Sequence, residues 1–449
     1  MKKTLNLTCD ITKEQLLSYV RVPFDVPENV ESLNIAYSYD SDHENSRKTE
    51  KGKNVIDFAL LNHKGEDVGT RGSEIRETHI SPTSSTPGFK AVEIVPGKWT
   101  AVLGIYQMKE DFLTVNIEVT FTFDSCRWIK GDTHLHTTNS DGVYTHQQVA
   151  DMAAKKGLSY IIFTDHNNTM KGIAAPKAEE LTVIKGVEFT NYRGHMNLWG
   201  AEEPYDGSFS IDDYETLLKY NKQAKERGAL QCLNHPLCSL CPWLFGTENL
   251  HFDAVEVWNG PMRKDNLKAI AWWESLLKEG KKVTAVGGSD YHRDYVVTSF
   301  LGMPTTAVYV KRNGETDILD ALKKGRVCIF HSPYSTELYM TCGKAVVGDS
   351  VKYEDGLNVE IQVRKMKKGH FLKVYDSEGL YFEAKGKGNK TFTVPVRKGN
   401  LYVRAEIQYK KGFFARLLHR AALFFMLRKE ASEPIPPFVY AMTNPIYFE

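Results

Sequence analysis

No stretch of the chain approaches the ~18 consecutive apolar residues of a membrane-spanning helix. The beginning, Met-Lys-Lys-Thr-Leu-Asn-Leu-Thr, lacks the apolar core of a secretory leader. Neither sign of charge is in surplus, since 57 Lys and Arg face 56 Asp and Glu. No global field therefore draws nucleic acid or an acidic membrane, and no basic stripe with interleaved aromatics is present. Cysteine is scarce, at seven in 449 residues. An odd number spread so thinly argues against a disulfide framework and for a reducing, cytoplasmic compartment. Three of the seven crowd near His235 in Cys232-Leu-Asn-His-Pro-Leu-Cys238-Ser-Leu-Cys241. That run lacks the second C-x-x-C half of a structural zinc site and is not read as one.

What is present belongs to an ordinary globular chain, with 42% hydrophobic and 25% charged residues. Its length is too great for one core, so several domains are expected. Residues 1–126 alternate polar and apolar positions in short runs separated by Pro, Gly, Asn and Asp. The runs are Ser18–Phe24, Leu33–Tyr39, Val55–Leu61, Lys90–Val95 and Leu113–Phe121, with Pro96-Gly97 turning into another. This spacing predicts a β-sandwich, in a packing or carbohydrate-binding role.

From 127 to 335 the pattern changes to strands alternating with helices. Helices are predicted over Thr145–Lys156, Asp212–Arg227, Asn266–Glu279 and Thr316–Lys324, each followed by a C-capping glycine. Repeated β–α units mean a parallel sheet, closed like a TIM barrel or open. The third region, 336–449, returns to strands and forms a small β-rich module. It is interrupted at 412–430 by an apolar segment bearing Arg416, His419 and Arg420. That segment is read as a helix packed on a neighbouring module or subunit, with peripheral membrane contact as the alternative.

The chemistry sits in the middle region, around Gly131-Asp-Thr-His-Leu-His-Thr-Thr-Asn-Ser-Asp141. Residues two apart on a strand share a face, so His134 and His136 can bind one metal ion without special backbone geometry. A lone H-x-H is as often two solvated histidines. Here, however, metal-type residues follow nearly every strand. Asp141 comes first, then Asp165-His166, Glu188, His195 with Asn197, His235, and Asp290 with His292. In a β/α barrel the C-terminal strand ends face one another, which would gather these residues at one mouth.

In their order, H-L-H-T-x-x-S-D-G, T-D-H-N, G-V-E, N-H-P and S-D-x-H resemble the polymerase and histidinol phosphatase (PHP) superfamily. The S-D-G form, the G-H-M-N-L-W-G run and the closing T-N-P-I-Y resemble its CehA/McbA-like branch. The resemblance implies a distorted (β/α)7 barrel holding two or three divalent ions of zinc, manganese or iron. His134, His136, Glu188 and Asp290 would bind one ion. Glu188 would bridge to a second, held by His235 and either His195 or Asn197, depending on which end of the G-H-M-N run is aligned. Asp141, His166 and His292 would hold the third, and Asp165 would orient a ligand from behind. A metal-bridging hydroxide would then hydrolyse a phosphate mono- or diester. Asp141, His166 and Glu188 serve that catalysis, and Arg293 or Arg263 would grip the non-reacting phosphate oxygens. The same centre could instead cleave a carboxyl ester, carbamate or amide. A non-catalytic carbohydrate- or polymer-binding scaffold is the third reading, and the full donor set weighs against it.

Overall fold

The computed structural model describes residues 2–28, 30–39, 54–123, 126–295, 299–409, 412, 416–418, 420–421 and 438–449. The apolar segment at 412–430 falls largely outside these. No helix among the described residues is long and apolar enough to cross a membrane. The chain divides into two compact units, 1–125 and 126–449.

The first unit is two four-stranded antiparallel sheets that share one apolar core. One sheet runs Lys2–Thr12, Phe112–Phe123, Val30–Tyr39, Glu77–Ile80, and the other Tyr19–Val26, Gly97–Gln107, Val55–Leu61, Asp67–Arg71. Alternation places Leu33, Ile35 and Tyr37 inward from one sheet and Trp99, Ala101 and Leu103 from the other. The run 90–95, expected as a strand, is not one. Its backbone divides between two partners, Lys90 N–H donating to Val68 O and Val92 N–H to Ser81 O, and Pro96 then stops it from laddering with either.

In the second unit a long sheet curls around the region of the motifs. Strands Arg127–Leu135, Tyr160–Phe163 and Thr182–Asn191 run parallel. Gly194–Trp199 returns antiparallel, then Leu230–Leu233, Ala254–Asn259 and Thr284–Gly288 resume the first direction. The last of these comes back to the first: Asp290 N–H donates to His134 O and His136 N–H to Tyr291 O, both at 3.0 Å. Between its strands lie the helices α1 (His146–Lys155), α2 (Tyr214–Glu226), α3 (Lys264–Lys278) and α4 (Glu315–Lys323). These lie where the periodicity places them. Thr145 caps α1 in a reciprocal box with Gln148, and Gly157 and Gly228 end α1 and α2 at φ +72° and +82°.

A regular sevenfold β/α alternation is not what these residues form. The connection from Asn191 to Gly194 is a hairpin, and none of the four helices lies between 163 and 182 or between 233 and 254. The unit is mostly β because the sheet also extends the other way from Arg127–Leu135. It continues through Thr305–Val310, Val327–Phe330, Phe438–Thr443, Tyr402–Tyr409, His370–Asp376 and Gly379–Lys385. Strands from beyond 336 thus share a sheet with the motif-bearing ones, and a separate four-stranded sheet is built on Glu337–Cys342 and Asn358–Met366. Within Thr443-Asn-Pro-Ile-Tyr447, the buried Asn444 amide exchanges two hydrogen bonds with Ala285 and donates a third to Val327 O. The tag therefore pins the strand leading to Asp290.

Candidate metal centre

The parallel strands deliver their side chains at one end of the curled sheet. His134 and His136 leave the end of Arg127–Leu135, both fully buried, while His235 follows Leu230–Leu233 and Asp290 follows Thr284–Gly288. Gly194–Trp199 runs antiparallel and so begins where the others end, which brings His195 in from its start. Two of these residues hold left-handed backbone, His235 at φ +27° and Asp290 at φ +52°. Such conformations persist where surrounding bonds over-determine them.

Glu188 is the hub. Its carboxylate lies 3.3 Å from His134 Nε2, 3.6 Å from His136 Nε2 and 2.6 Å from His166 Nδ1. It also lies 3.2 Å from His195 Nδ1 and 3.6 Å from His235 Nε2. Asp290 Oδ1 sits 3.0 Å from His136 Nε2 and 3.4 Å from His134 Nε2. Asp141 Oδ1 meets His292 Nε2 at 3.1 Å and His166 Nε2 at 3.6 Å. Among the described residues, three groups have donor atoms close enough together to hold a cation: His134–His136–Glu188, His195–His235–Cys241 and His136–Asp141–His166–His292.

Burial opposes charge here, and the neighbours override it. Burial pushes the Glu188 carboxyl up, but His134, His166 and His195 hold it well below the usual carboxylate range. Asp290 is likewise pushed up by burial and held down by His134, His136 and His292. Asp141 is held at about 2 against burial by His292, and His292 is raised against burial to about 9 by Asp141.

Supporting residues fix the donors. Glu256, buried in the apolar run Ala254–Asn259, accepts from His134 Nδ1 at 2.9 Å and from the backbone N–H of His235 at 3.1 Å. Asn234 Nδ2 donates to Glu188 Oε1 at 2.8 Å. Sequence reasoning missed both, because neither residue's partner is near it in the chain. Gly288 makes room for the first of these contacts, because a Cβ there would lie 2.3 Å from Glu256 Oε1 and 2.5 Å from His134 Cβ. Asp165 accepts from Thr137 N–H, Thr137 Oγ1–H and Ser140 Oγ–H, and so ties down the loop between His136 and Asp141. Asp132, raised by burial to about 6, clamps the first strand to the last motif by accepting from Ser289 N–H and Gly302 N–H.

The other expected residues are placed as follows. Asn197 stands directly opposite Glu188 in the strand pair, with its Oδ1 buried and without a hydrogen bond. Arg293 is exposed and lines a cavity of about 310 Å³ together with Pro261, Asp290, His292, Tyr295 and Phe300. Arg263 is instead buried, donating to Asn259 O and Asn259 Oδ1, so it is not free to grip a substrate. Cys241, set aside at the sequence level with its two neighbours, brings its Sγ to 3.6 Å from His235 Nδ1.

The donor set fits divalent cations. His134 Nε2 and His136 Nε2 are buried and make no hydrogen bond. An unsatisfied buried polar atom costs about 1–3 kcal/mol, and a cation among imidazole nitrogens and carboxylate oxygens removes that cost.

Comparison with known proteins places these residues in context. Over 94 residues, 19% of this chain, it is 36% identical to the DNA polymerase/3'-5' exonuclease PolX of Bacillus subtilis. Over 81 residues, 16% of this chain, it is 38% identical to a phosphoribosyl 1,2-cyclic phosphate 1,2-diphosphodiesterase of Eggerthella lenta. The chain spans 16% and 31% of those two relatives. A solved two-domain protein from Bacteroides vulgatus, containing a predicted PHP-like metal-dependent phosphoesterase, is 21% identical with a TM-score of 0.38. That likeness covers 63% of this chain and 90% of the other. The PHP domain model matches residues 132–256, which run from the Asp132 clamp through His134, His136 and Glu188 to Glu256.

Proposed function

We propose that the chain is a metal-dependent phosphoesterase acting on a small-molecule phosphate mono- or diester at the centre organised by Glu188. The observation that carries this reading is that one buried carboxylate lies within 3.6 Å of ring nitrogens from five histidines. A structural ion pair needs one such partner, whereas a carboxylate shared between neighbouring cations needs several neutral donors around it.

His134, His136, Glu188 and Asp290 would hold one ion, and Glu188, His235 and His195 a second. His195 takes that role ahead of Asn197 because its Nδ1 faces Glu188 Oε1. Asp141, His166 and His292 would complete a third. When bound, such ions supply Lewis acidity, lowering the pKa of water and neutralising charge on the phosphoryl oxygens. The chain's own residues do the rest. Glu256 holds Nδ1 of His134 and so directs Nε2 inward. Asp165 keeps the loop carrying Asp141 in place. Arg293 brings a fixed positive charge into the cavity beside Asp290 and His292, where it would orient the non-reacting oxygens of a phosphate. Tyr295 and Phe300 wall that cavity.

The relatives over the PHP region, one of them a phosphodiesterase by name, support phosphoryl over carbonyl chemistry. The curled sheet joined at Leu135 and Tyr291 is read as a distorted barrel, with the chain divided functionally into 1–126, 127–335 and 336–449 although strands beyond 336 extend the same sheet. Membership of the CehA/McbA-like branch rests on S-D-G, G-H-M-N-L-W-G and T-N-P-I-Y. The test is elemental analysis of the purified chain with a screen of phosphomonoesters, phosphodiesters and carboxyl esters under Zn²⁺, Mn²⁺ and Fe²⁺. Phosphate-ester hydrolysis is expected, and Arg293→Ala should raise KM by about 10-fold without changing metal content. Cleavage of carboxyl esters alone, or less than one bound ion per chain, overturns the reading.

A further inference from the structure

Beside the second cation group lies a feature the proposed reaction does not use. Cys238 and Cys241 sit in a C-x-x-C spacing with their sulfurs 3.6 Å apart. Cys241 is partly exposed while Cys238 is 5% exposed. The loop carrying them is held at several points. Cys238 N–H donates to His235 O, Ser239 N–H to Asp265 Oδ2, and Trp243 N–H to Pro236 O. Arg263 Nη2 stands 3.8 Å from Cys238 Sγ on the buried side of the pair. On its other side Cys241 Sγ is 3.6 Å from His235 Nδ1 and belongs to the His195–His235–Cys241 donor group.

We propose that Cys238 and Cys241 are a reversible thiol–disulfide modification site whose oxidised form withdraws the Cys241 sulfur from His235 and from the cation group it completes. The second half of this inference rests on the metal-centre reading above. A disulfide needs its sulfurs at about 2.0 Å, a closing movement of about 1.6 Å from their 3.6 Å separation. The oxidant is a low-molecular-weight disulfide such as oxidised glutathione. The Cys241 sulfur, the one solvent reaches, gives up its proton to solvent as it attacks a sulfur of that disulfide and expels one glutathione thiolate, leaving a mixed disulfide. The Cys238 sulfur then attacks the Cys241 sulfur, forming the internal bond and expelling the second glutathione thiolate. Two electrons pass from the protein dithiol to the small disulfide, and the two thiol protons end on the two glutathiones. In the reduced chain Cys241 fixes the His235 ring or binds the ion itself, and in the oxidised chain it does neither. A partner of this kind behind a ligating histidine is worth about 10–100-fold in metal affinity.

The experiment treats the full chain with oxidised glutathione, maps disulfides by peptide mass, and measures Zn²⁺ affinity before and after reduction by dithiothreitol. A Cys238–Cys241 link is expected, reversed by dithiothreitol, with Zn²⁺ affinity lower by about 10-fold or more in the oxidised form. Cys238→Ser should stop at a glutathione adduct on Cys241, and Cys241→Ser should form neither product. Oxidation confined to Cys9 and Cys126 overturns the proposal, as does a 238–241 link that leaves Zn²⁺ affinity unchanged. Failure of the phosphoesterase reading is separately visible, because it appears as inactivity of the reduced, metal-supplemented chain and leaves the peptide map untouched.

Discussion

Among described residues 2–123, the buried polar side chains are Ser32, Asn54, Thr78 and Ser81, none of them charged, around a core of Trp99, Phe58, Leu33 and their neighbours. The second unit buries Asp132, His134, His136, Asp165, Glu188, His235 and Glu256 at 5% exposure or less. The strands of the first unit bury one face, whereas Tyr160–Phe163, Leu230–Leu233, Ala254–Asn259 and Thr284–Gly288 in the second are buried throughout. Burying an ionisable group is costly unless it is paired. The second unit accepts that cost repeatedly at one end of one sheet, which is where chemistry is to be sought. The first unit has the composition of a domain whose interior serves stability.

The contrast can be broken from either side. The largest effect should follow Trp99→Ala, which removes a fully buried side chain and its Nε1–H bond to Val95 O. A loss of about 3–5 kcal/mol is expected, read by denaturant unfolding, while metal bound per folded molecule stays constant. A fall in metal content in the folded fraction would show that the two interiors are not functionally distinct.

Glu188→Gln should do the reverse. It keeps volume and removes the shared charge, so kcat should fall by at least about 10²-fold, or about 2.7 kcal/mol, together with metal stoichiometry. Retention of both full activity and full metal would end the claim that Glu188 is the hub.

His370 sharpens the comparison, because it is a buried titratable group outside the centre. It is 3% exposed beside Tyr409 and Tyr440 and is held at about 4, first by burial and then by Lys367. An unfolded histidine titrates near pH 6.5. Between those values the unfolded chain binds the extra proton, so this contribution is present above about pH 6.5 and is lost as pH falls towards 4. Between pH 7 and pH 5 the loss should be about 2 kcal/mol. His370→Gln should flatten that slope in urea titrations at both pH values. An unchanged slope would remove His370 as its source.

The smallest effect is expected for Glu256→Gln. It leaves the cation groups intact and weakens the partner of His134 Nδ1, so metal affinity should drop by about 10-fold with folding stability nearly unchanged. Isothermal titration with Mn²⁺ would reveal it, and unaltered affinity would mean that His134 orients itself.

How much of this was legible beforehand follows from the range of each interaction. The four helices were readable because capping residues and 3.6-residue periodicity are local signals. The pairing of His134 with His136 was readable because a strand fixes which face each residue takes. Glu256 was not, since within Ala254–Asn259 it reads only as one member of a strand, and its partner lies 122 residues away. Cys241 was read within the C-x5-C-x2-C run near His235, but that spacing does not say which sulfur meets the ring, and folding sets this one 3.6 Å from His235 Nδ1. The continuation of the sheet beyond 336 was hidden for the same reason. Pairing such as Cys328 with Thr443 depends on no local pattern.

That last pairing has a consequence for synthesis. Phe438–Thr443 lies between Val327–Phe330 and Tyr402–Tyr409, hydrogen-bonded to both. Until a ribosome has released this stretch, two strands present unpaired edges, and Asn444 cannot yet fasten the strand that leads to Asp290. Nascent or prematurely terminated chains would therefore carry open strand edges, the kind of surface that recruits chaperones or nucleates aggregation.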